Sequence, residues 1–361
     1  MKGNIGEWSE LYVFFKLLSV GKLFSADENL NKTHAFVQLL SIFRTDSGKN
    51  LNFNISGEDT INIIDGNTNN VIMSFLQKDS GDIADKLLKE LNNKPKPFVS
   101  KESIEQFQKH FITEVANKQK GKGDINILIY DPVHCISSHQ KFSIKSFLGS
   151  KPTLFNAHTT TNIIYKITGQ NNEPVTDEHL EEVNSIVSGY KYIKRIDKLS
   201  SLGYRINFDS YEDKTFNLNL QLIDSDLPQI VAHITKDKYV SRVIKFTEII
   251  EKLNQVNPLN YDQSFGHNFY EYKLVKLLTE AALGMTSKEV WSGTYDVVGG
   301  IIIVKPNAEI LCYHLIDFNK FKHYLKTSAK LDNPSGSKMG YGSVYKEGNN
   351  SYIKLNFQIK A

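Results

Sequence analysis

Cysteine is nearly absent. The 361-residue chain has two, Cys135 and Cys312, far apart and without CxxC spacing, so neither a cysteine zinc cluster nor a disulfide framework is expected, and a reduced cytoplasmic setting is. Long apolar runs are also missing. No stretch reaches the roughly 18 uninterrupted apolar residues of a membrane span. Met1-Lys2-Gly3-Asn4 leads straight into a helical pattern instead of a signal-peptide hydrophobic segment, so neither export nor membrane insertion is expected. No sign of charge dominates. Lys and Arg number 43 against 40 Asp and Glu, a formal net charge of +3, so any affinity for nucleic acid must come from positive charge gathered in a cleft. Internal repeats and low-complexity segments are absent. What is present, 40% hydrophobic and 23% charged residues, suits one large or two ordinary globular domains with a real core.

The most informative stretch runs from Gly123 to Asn162, GDINILIYDPVHCISSHQKFSIKSFLGSKPTLFNAHTTTN. Two alternating runs, Ile125 to Ile129 and Lys141 to Phe147, are bounded by turn-forming residues and predict an antiparallel hairpin. With a turn around Pro132 to Ser138, Asp124 stands across from Lys145, and Ser143 lies close by on the same face. A carboxylate beside a residue-any-Lys triplet, here Ser143-Ile144-Lys145, resembles the metal-dependent nucleases of the PD-(D/E)xK type. The first member of the triplet is not acidic, and spacing alone fits a plain alternating hairpin equally well. Asp131 is the rival acid, although Asp131-Pro132 also reads as an ordinary turn start.

Around this hairpin the chain alternates strands and helices. Ile5 to Val20 carries Trp8, Leu11, Tyr12, Phe15 and Leu18 at helical spacing and ends at Gly21, predicting an amphipathic helix. Its Glu7 and Glu10 share a face. Surface solvation accounts for such a pair, but beside an aromatic cluster a desolvated carboxylate needs a partner such as a metal ion. Short strands are expected at Ala35 to Arg44, Leu51 to Ile55, Thr60 to Ile64 and Asn70 to Leu76, with helices at Ile83 to Leu91 and Glu102 to Val115. Asn92 to Pro97 reads as a linker, and Lys118 to Lys122 as a basic loop leading to Asp124. After the turn at Lys151, the polar run Asn156, His158, Thr159 to Thr161 and Asn162 suits phosphates or base edges and equally suits turns and caps.

Further on, helices are expected at Asp177 to Gly189, Tyr192 to Leu199, Leu227 to Leu253, Tyr270 to Ala282 and Phe318 to Lys326. Strands are expected at Arg205 to Phe208, Thr215 to Leu222 and Tyr352 to Ile359. Tyr295 to Lys305 and Glu309 to His314 form a second hairpin around Pro306-Asn307, with Asp296 and Glu309 as rival acids. Leu311 stands where the lysine is needed, so a buried sheet edge is the better reading, with Lys305 and His314 able to face DNA.

Four pieces taken together, KGNIGEWSELYVFFKLLSVGKLFSADENLN, DINILIYDP with FSIKSFLGSKPTLFNAHTTTN, GGIIIVKPNAEILCYHL with FKHYLKTSAKLDNPSGSKMGYGSVY, and IKLNFQIK, resemble the HpaII-like type II restriction endonucleases in the same order. The resemblance covers both ends and the centre, with little to match between about Thr168 and Asn268. It implies an α/β (α+β) PD-(D/E)xK core, a mixed sheet flanked by helices, with added segments gripping DNA. Residues 1–167 would hold the N-terminal helix, a strand-rich part and the catalytic hairpin. Residues 168–361 would complete the cleft, either as a separate domain or as part of one.

The implied activity is Mg²⁺-dependent cleavage of both strands of DNA at a short palindrome, with CCGG suggested. On that reading Asp124 binds the metal with the carbonyl of Ile144, Lys145 is the lysine of the motif, and Ser143 stands where many such enzymes carry an acid. Glu10 adds the carboxylate of the N-terminal helix, with Glu7 as the substitute. DNA contacts are expected from Lys151, Asn156, His158 and Asn162, and from Lys330, Asn333, Ser335, Ser337 and Lys338, a stretch that also suits a surface connection. A palindrome implies a homodimer or two sequential cuts, and a cognate methyltransferase acting on the same site in a prokaryotic cytoplasm. The alternatives are a structure-specific or repair nuclease on the same core and a non-enzymatic DNA-binding protein.

Overall fold

The computed structural model describes residues 1–57, 59–93, 99–117 and 123–361. The chain opens with helix α1 (Ile5–Val20), then strands β1 (Lys22–Ala26), β2 (Lys32–Asp46), β3 (Lys49–Ser56), β4 (Thr60–Asp65) and β5 (Val71–Leu76). Helices α2 (Gln77–Leu91) and α3 (Lys101–Lys109) precede strands β6 (Ile125–Asp131) and β7 (Ile136–Ser146). A middle stretch supplies β8 (Thr153–Phe155), β9 (Asn162–Thr168), α4 (Asp177–Asn184), α5 (Lys191–Ser201), β10 (Arg205–Tyr211), α6 (Lys214–Ile223), α7 (Leu227–Val240), α8 (Phe246–Val256) and α9 (Phe269–Leu283). The last third adds β11 (Gly300–Val304), β12 (Ile310–His314), α10 (Phe318–Ser328), β13 (Lys330–Leu331), α11 (Gly336–Met339), β14 (Val344–Glu347), β15 (Asn350–Asn356) and β16 (Ile359–Lys360).

These elements gather into two compact units. The first comprises Met1–Pro152, Ala282–Gly284 and Tyr295–Tyr324, and the second Thr153–Ala281, Met285–Thr294 and Leu325–Ala361. The chain therefore leaves the first unit at residue 152 and returns to it, and the position 167–168 falls at the end of β9 within the second. Among the described residues no helix is long and apolar enough to cross a membrane.

The first unit is built on a nine-stranded mixed sheet in the order β1-β12-β11-β7-β6-β2-β3-β4-β5, and β1 also pairs with β2. The long β2 serves three partners, meeting β1 over Lys32 to Gln38, β6 over Gln38 to Phe43 and β3 over Ser41 to Asp46. Helix α1 is set by its sequence at both ends. Asn4 caps the amides of Gly6 and Glu7 while Glu7 returns a bond to the Asn4 amide, and Gly21 closes the helix at φ 65°. It is not amphipathic as expected. Trp8, Leu11, Tyr12, Val13, Phe14, Phe15, Leu17 and Leu18 are all buried, so the helix is core on most faces. Phe15 stacks on Phe107 of α3, and Phe14 meets Phe53 of β3 edge to face. Burial at about 1.5–3 kcal/mol per large apolar side chain outweighs the modest helix propensity of aromatic residues.

The second unit holds an antiparallel sheet β10-β9-β15-β14 and a three-stranded sheet β13-β16-β8, with helices α4 to α9. Here one strand expectation is overturned, since Thr215 to Leu222 lies in helix α6. Asp213 caps the amides of Thr215 and Phe216, and burial follows the helical spacing Phe216, Asn219, Leu220, Ile223. Leu218 and Leu222, which made the run look alternating, are exposed. Boundaries also move: the helix expected over Leu227 to Leu253 is two, α7 and α8, and the one expected to reach Gly189 ends at Asn184. The helix expected to reach Val115 stops at Lys109, with Phe111 at φ 62° just beyond. The stretch after Lys330, expected to lack regular structure, contains β13 and the single turn α11.

Candidate active site

The hairpin forms, but two residues out of the expected register. A tight turn at Pro132 to Cys135, with Cys135 at φ 55°, lets Asp131 pair with Ile136 and Ile125 with Phe142. Asp124, one residue before β6, therefore falls opposite Ser143 instead of Lys145. Lys145 lies two residues further along β7, and the period of two keeps it on the face of Ser143. The Asp124 amide donates to the Phe142 carbonyl at 2.8 Å, which carries the ladder one step beyond the strand.

One oxygen of Asp124 is held by two donors, the Ile144 amide at 2.6 Å and the Ser143 hydroxyl at 3.1 Å. Ser143 is 1% exposed, so the side chain that replaces an acid acts as a support for the aspartate. The Ile144 amide reaches Asp124, and the N–H and C=O of one strand residue face the same edge, so the Ile144 carbonyl opens toward that carboxylate. On its other side β7 pairs in parallel with β11, Ser143 beside Ile301 and Lys145 beside Ile303.

Glu10 reaches the same place from α1. Burial, then Asp124, then Glu7 push its carboxyl up to about 8, while Lys145 and Arg44 pull the other way. Two carboxylates and a lysine from three separate elements therefore share one electrostatic neighbourhood. A small cavity lined by Glu10, Phe14, Phe43, Arg44, Asn117, Asp124 and Ile125 lies at the two carboxylates. Glu7, the substitute for Glu10, is engaged in the helix cap, where its carboxylate accepts the Asn4 amide at 2.7 Å. Among the described residues no three His, Cys, Asp or Glu side chains form a metal cage.

Arg44 and Asp46 belong to this region, and the sequence reading missed them. They follow Ile42 at period two on the buried face of β2, 4% and 3% exposed, with Arg44 Nε 3.3 Å from Asp46 Oδ2. The available signal was an alternating strand that places an arginine and an aspartate where apolar residues belong.

The rival acids lie elsewhere. Asp131 stands at the far end of β6, roughly 23 Å of strand from Asp124 at about 3.3 Å per residue. It accepts the amides of Val133 and His134 and the His134 ring at 2.7 Å. Burial alone would raise its carboxyl, but these bonds hold it below the usual range. The second hairpin, β11 and β12, is no sheet edge. It lies inside the nine-stranded sheet because β11 pairs with β7. Neither of its basic residues faces outward freely. Lys305 is tied to Glu309 at 2.8 Å and to the Leu30 carbonyl, and His314 is buried with its ring against Phe142.

The residues expected to touch DNA divide into internal and external ones. Asn162 is internal and leaves that list. It is 1% exposed, its amide donates to Glu212 and to the Met339 carbonyl, and its oxygen accepts from Asn356. His158 is half-buried and caps a short turn by accepting the Thr160 amide. Lys330 is half-buried in β13, opposite Lys360. Lys151, Asn156, Asn333, Ser335, Ser337 and Lys338 are exposed, the last four in one short segment where the hydroxyls of Ser335 and Ser337 lie 3.1 Å apart. The basic loop Lys118 to Lys122 lies outside the described residues.

Comparison with known proteins covers the chain from end to end. A family model described as HpaII restriction endonuclease matches residues 4–361. The type II restriction enzyme HpaII of Haemophilus parainfluenzae is 36% identical over 367 residues, spanning 99% of this chain and 98% of that protein. No solved structure matches. A likeness that leaves neither terminus out, at this identity, places the chain in the HpaII restriction endonuclease family, and it is a type II restriction endonuclease.

Proposed function

We propose that Asp124, Lys145, Ser143 and Glu10 form the catalytic centre, and that it uses Mg²⁺ to hydrolyse phosphodiester bonds in double-stranded DNA at a short palindrome. The observation that carries this reading is the meeting of Asp124 and Glu10 in one small pocket, where burial and the neighbouring aspartate push Glu10 up to about 8. Burial and the second acid outweigh the pull of Lys145 and Arg44 there, so the pair can accept further positive charge. A hard divalent cation takes oxygen ligands and keeps several waters, so two carboxylates and a backbone carbonyl suffice without a dedicated cage. Asp124, Glu10 and the Ile144 carbonyl are the groups that would hold it. When bound, Mg²⁺ lowers the pKa of a water and neutralises charge on the scissile phosphate.

The protein's own groups do the rest. Ser143 and the Ile144 amide fix the Asp124 carboxylate and turn it toward the pocket. Lys145, on the same face, orients the attacking water and stabilises negative charge developing on the phosphate. Lys151, Asn156, His158, Lys330, Asn333, Ser335, Ser337 and Lys338 are the residues proposed to contact DNA. A palindrome presents two equivalent phosphates about a dyad, which favours a homodimer. CCGG is the first target to test, and a methyltransferase acting on the same site would protect the host DNA in a prokaryotic cytoplasm.

The test is digestion of unmodified phage DNA with Mg²⁺, followed by mapping of the ends. Discrete fragments with one sequence at every end are expected from wild type. Asp124→Ala and Lys145→Ala are expected to bind the same DNA without cutting. Normal cutting by both variants refutes the site, and cuts placed by DNA shape instead of sequence refute the specificity.

A further inference from the structure

Burying an ion pair in a core gains little. Replacing one by apolar residues of similar volume is often neutral or stabilising. Arg44 and Asp46 nevertheless occupy the core face of β2 directly after Ile42, which is fully buried. Stability alone does not account for them, and what they touch does. Asp46 accepts the amides of Thr113 (3.0 and 3.1 Å) and Glu114 (3.1 Å) and the Thr113 hydroxyl. Arg44 Nη2 donates to the carbonyls of Glu114, Val115 (3.1 Å) and Ala116 (3.5 Å). The Thr45 amide adds a bond to the Asn117 side chain at 3.2 Å.

Residues 113–116 belong to no helix or strand, so their polar backbone groups need partners from elsewhere. One strand supplies them. The segment ends on Asn117, which lines the same cavity as Glu10, Arg44 and Asp124. Because Phe43 pairs with Asn126, Arg44 stands beside Ile125, next to Asp124 in the chain.

We propose that Arg44 and Asp46 form a brace that positions the Asp124 and Glu10 carboxylates against each other. They are positioning residues, acting through the 113–117 segment and through the charge Arg44 presents to the pocket. The proposal rests on the assignment of Asp124 and Glu10 as the metal-binding acids. Lysine is no substitute, because only the planar guanidinium fork spans successive carbonyls.

The test uses the full-length protein and two variants. Arg44→Met/Asp46→Leu removes the brace while keeping the core filled, and Arg44→Lys keeps the charge but not the fork. For the double variant the expectation is wild-type secondary structure and DNA affinity without divalent metal, with kcat down at least thirtyfold and KM for DNA within about threefold. Amide exchange of residues 113–117 is expected to quicken at least tenfold, and calorimetric Mn²⁺ binding to weaken at least tenfold. Arg44→Lys is expected to reproduce the direction of these changes, and it carries the test if the double variant does not fold.

Wild-type kcat together with wild-type Mn²⁺ binding in the variant that folds overturns the proposal. A loss of rate that merely follows the unfolded fraction also overturns it. Asp124→Ala is run alongside. If it cuts normally, the site assignment falls and the role of the brace falls with it. If it is inactive while the brace variants are fully active, only the brace is refuted.

Discussion

Each unit buries polar groups, and one cluster in each differs in how far its charge is met. In the second unit Asn162 spends both amide hydrogens and its oxygen on internal partners, and the fully buried Lys238 donates to the carbonyls of Asp332 and Asn356. In the first unit Glu10 and Asp124 share a pocket that leaves Glu10 pushed up to about 8. A satisfied internal network with no acid pair beside it is scaffold. A carboxylate pushed up by burial beside a second acid, even with Lys145 and Arg44 near, marks a site. The same contrast separates the two hairpins. Every residue of β11 is buried and every core position of that strand is apolar, whereas β6 and β7 keep a partly open face ending in Asp124, Ser143 and Lys145.

The sharpest way to break this contrast is to remove charge from the acidic pocket. Asp124→Ala and Lys145→Ala should each lower turnover by about 10³-fold or more, as expected for groups aimed at developing charge in a dry site, with DNA binding kept in a gel-shift assay. Mg²⁺ should raise the melting temperature of wild type but not of Asp124→Ala, because a ligand that binds only the folded state stabilises by about 2.7 kcal/mol at 100 times its Kd. Equal metal-induced shifts in both proteins would remove Asp124 from the ligand set. Glu10→Gln should cut more slowly and need more Mg²⁺. Glu7→Ala should cut normally per folded molecule and lose only about 1 kcal/mol with its cap, as read by urea unfolding.

In the second unit the same kind of change should touch stability and leave chemistry alone. Asn162→Ala leaves the buried Asn356 amide and the Met339 carbonyl short of a partner, at about 1–3 kcal/mol, and the cutting rate of the folded fraction should not move.

Lys238 adds a pH signature. Burial holds its ammonium down to about 7 from an ordinary 10.5, so between those values the unfolded chain carries a proton that the folded chain lacks. Its contribution makes stability rise as pH climbs from about 7 to 10 and leaves it lowest below 7. Denaturant titrations of wild type and Lys238→Met across that range isolate the slope, and identical slopes would refute it. The smallest effect belongs to Ser143→Ala. One hydrogen bond to Asp124 is worth about 0.5–1.5 kcal/mol net, so turnover should fall no more than about tenfold. A loss as large as that of Asp124→Ala would make Ser143 a principal catalytic group.

Much of this was legible in advance where local rules act alone. The bounds of α1 followed from the apolar spacing and Gly21. The strands β3 to β5 followed from alternation between turns, and β6 and β7 from the same signal. The register between β6 and β7 was not legible, because a turn one or two residues shorter shifts every pair and alternation looks the same either way. Helix α6 was misread because Phe216, Leu218, Leu220 and Leu222 alternate, and only the Asp213 cap together with packing against Phe155 and Phe357 chose the helical face. The position of β11 inside the sheet depended on a parallel pairing with β7, more than 150 residues away in sequence, which no local pattern encodes.

By itself the sequence determined the chemical inventory of this protein: an acid and a lysine at the end of one hairpin, a glutamate on a capped aromatic helix, and a likeness to one family along nearly its whole length. Those are properties of residue type and short spacing. Only the tertiary structure decided that Asp124 faces Ser143, that Glu10 rather than Glu7 enters the pocket, that Asn162 is sealed inside, and that Arg44 and Asp46 grip the segment before Asp124. Each of those depends on which distant backbone groups are left without partners once the sheet has closed, and that is settled by packing and hydrogen-bond satisfaction over the whole unit.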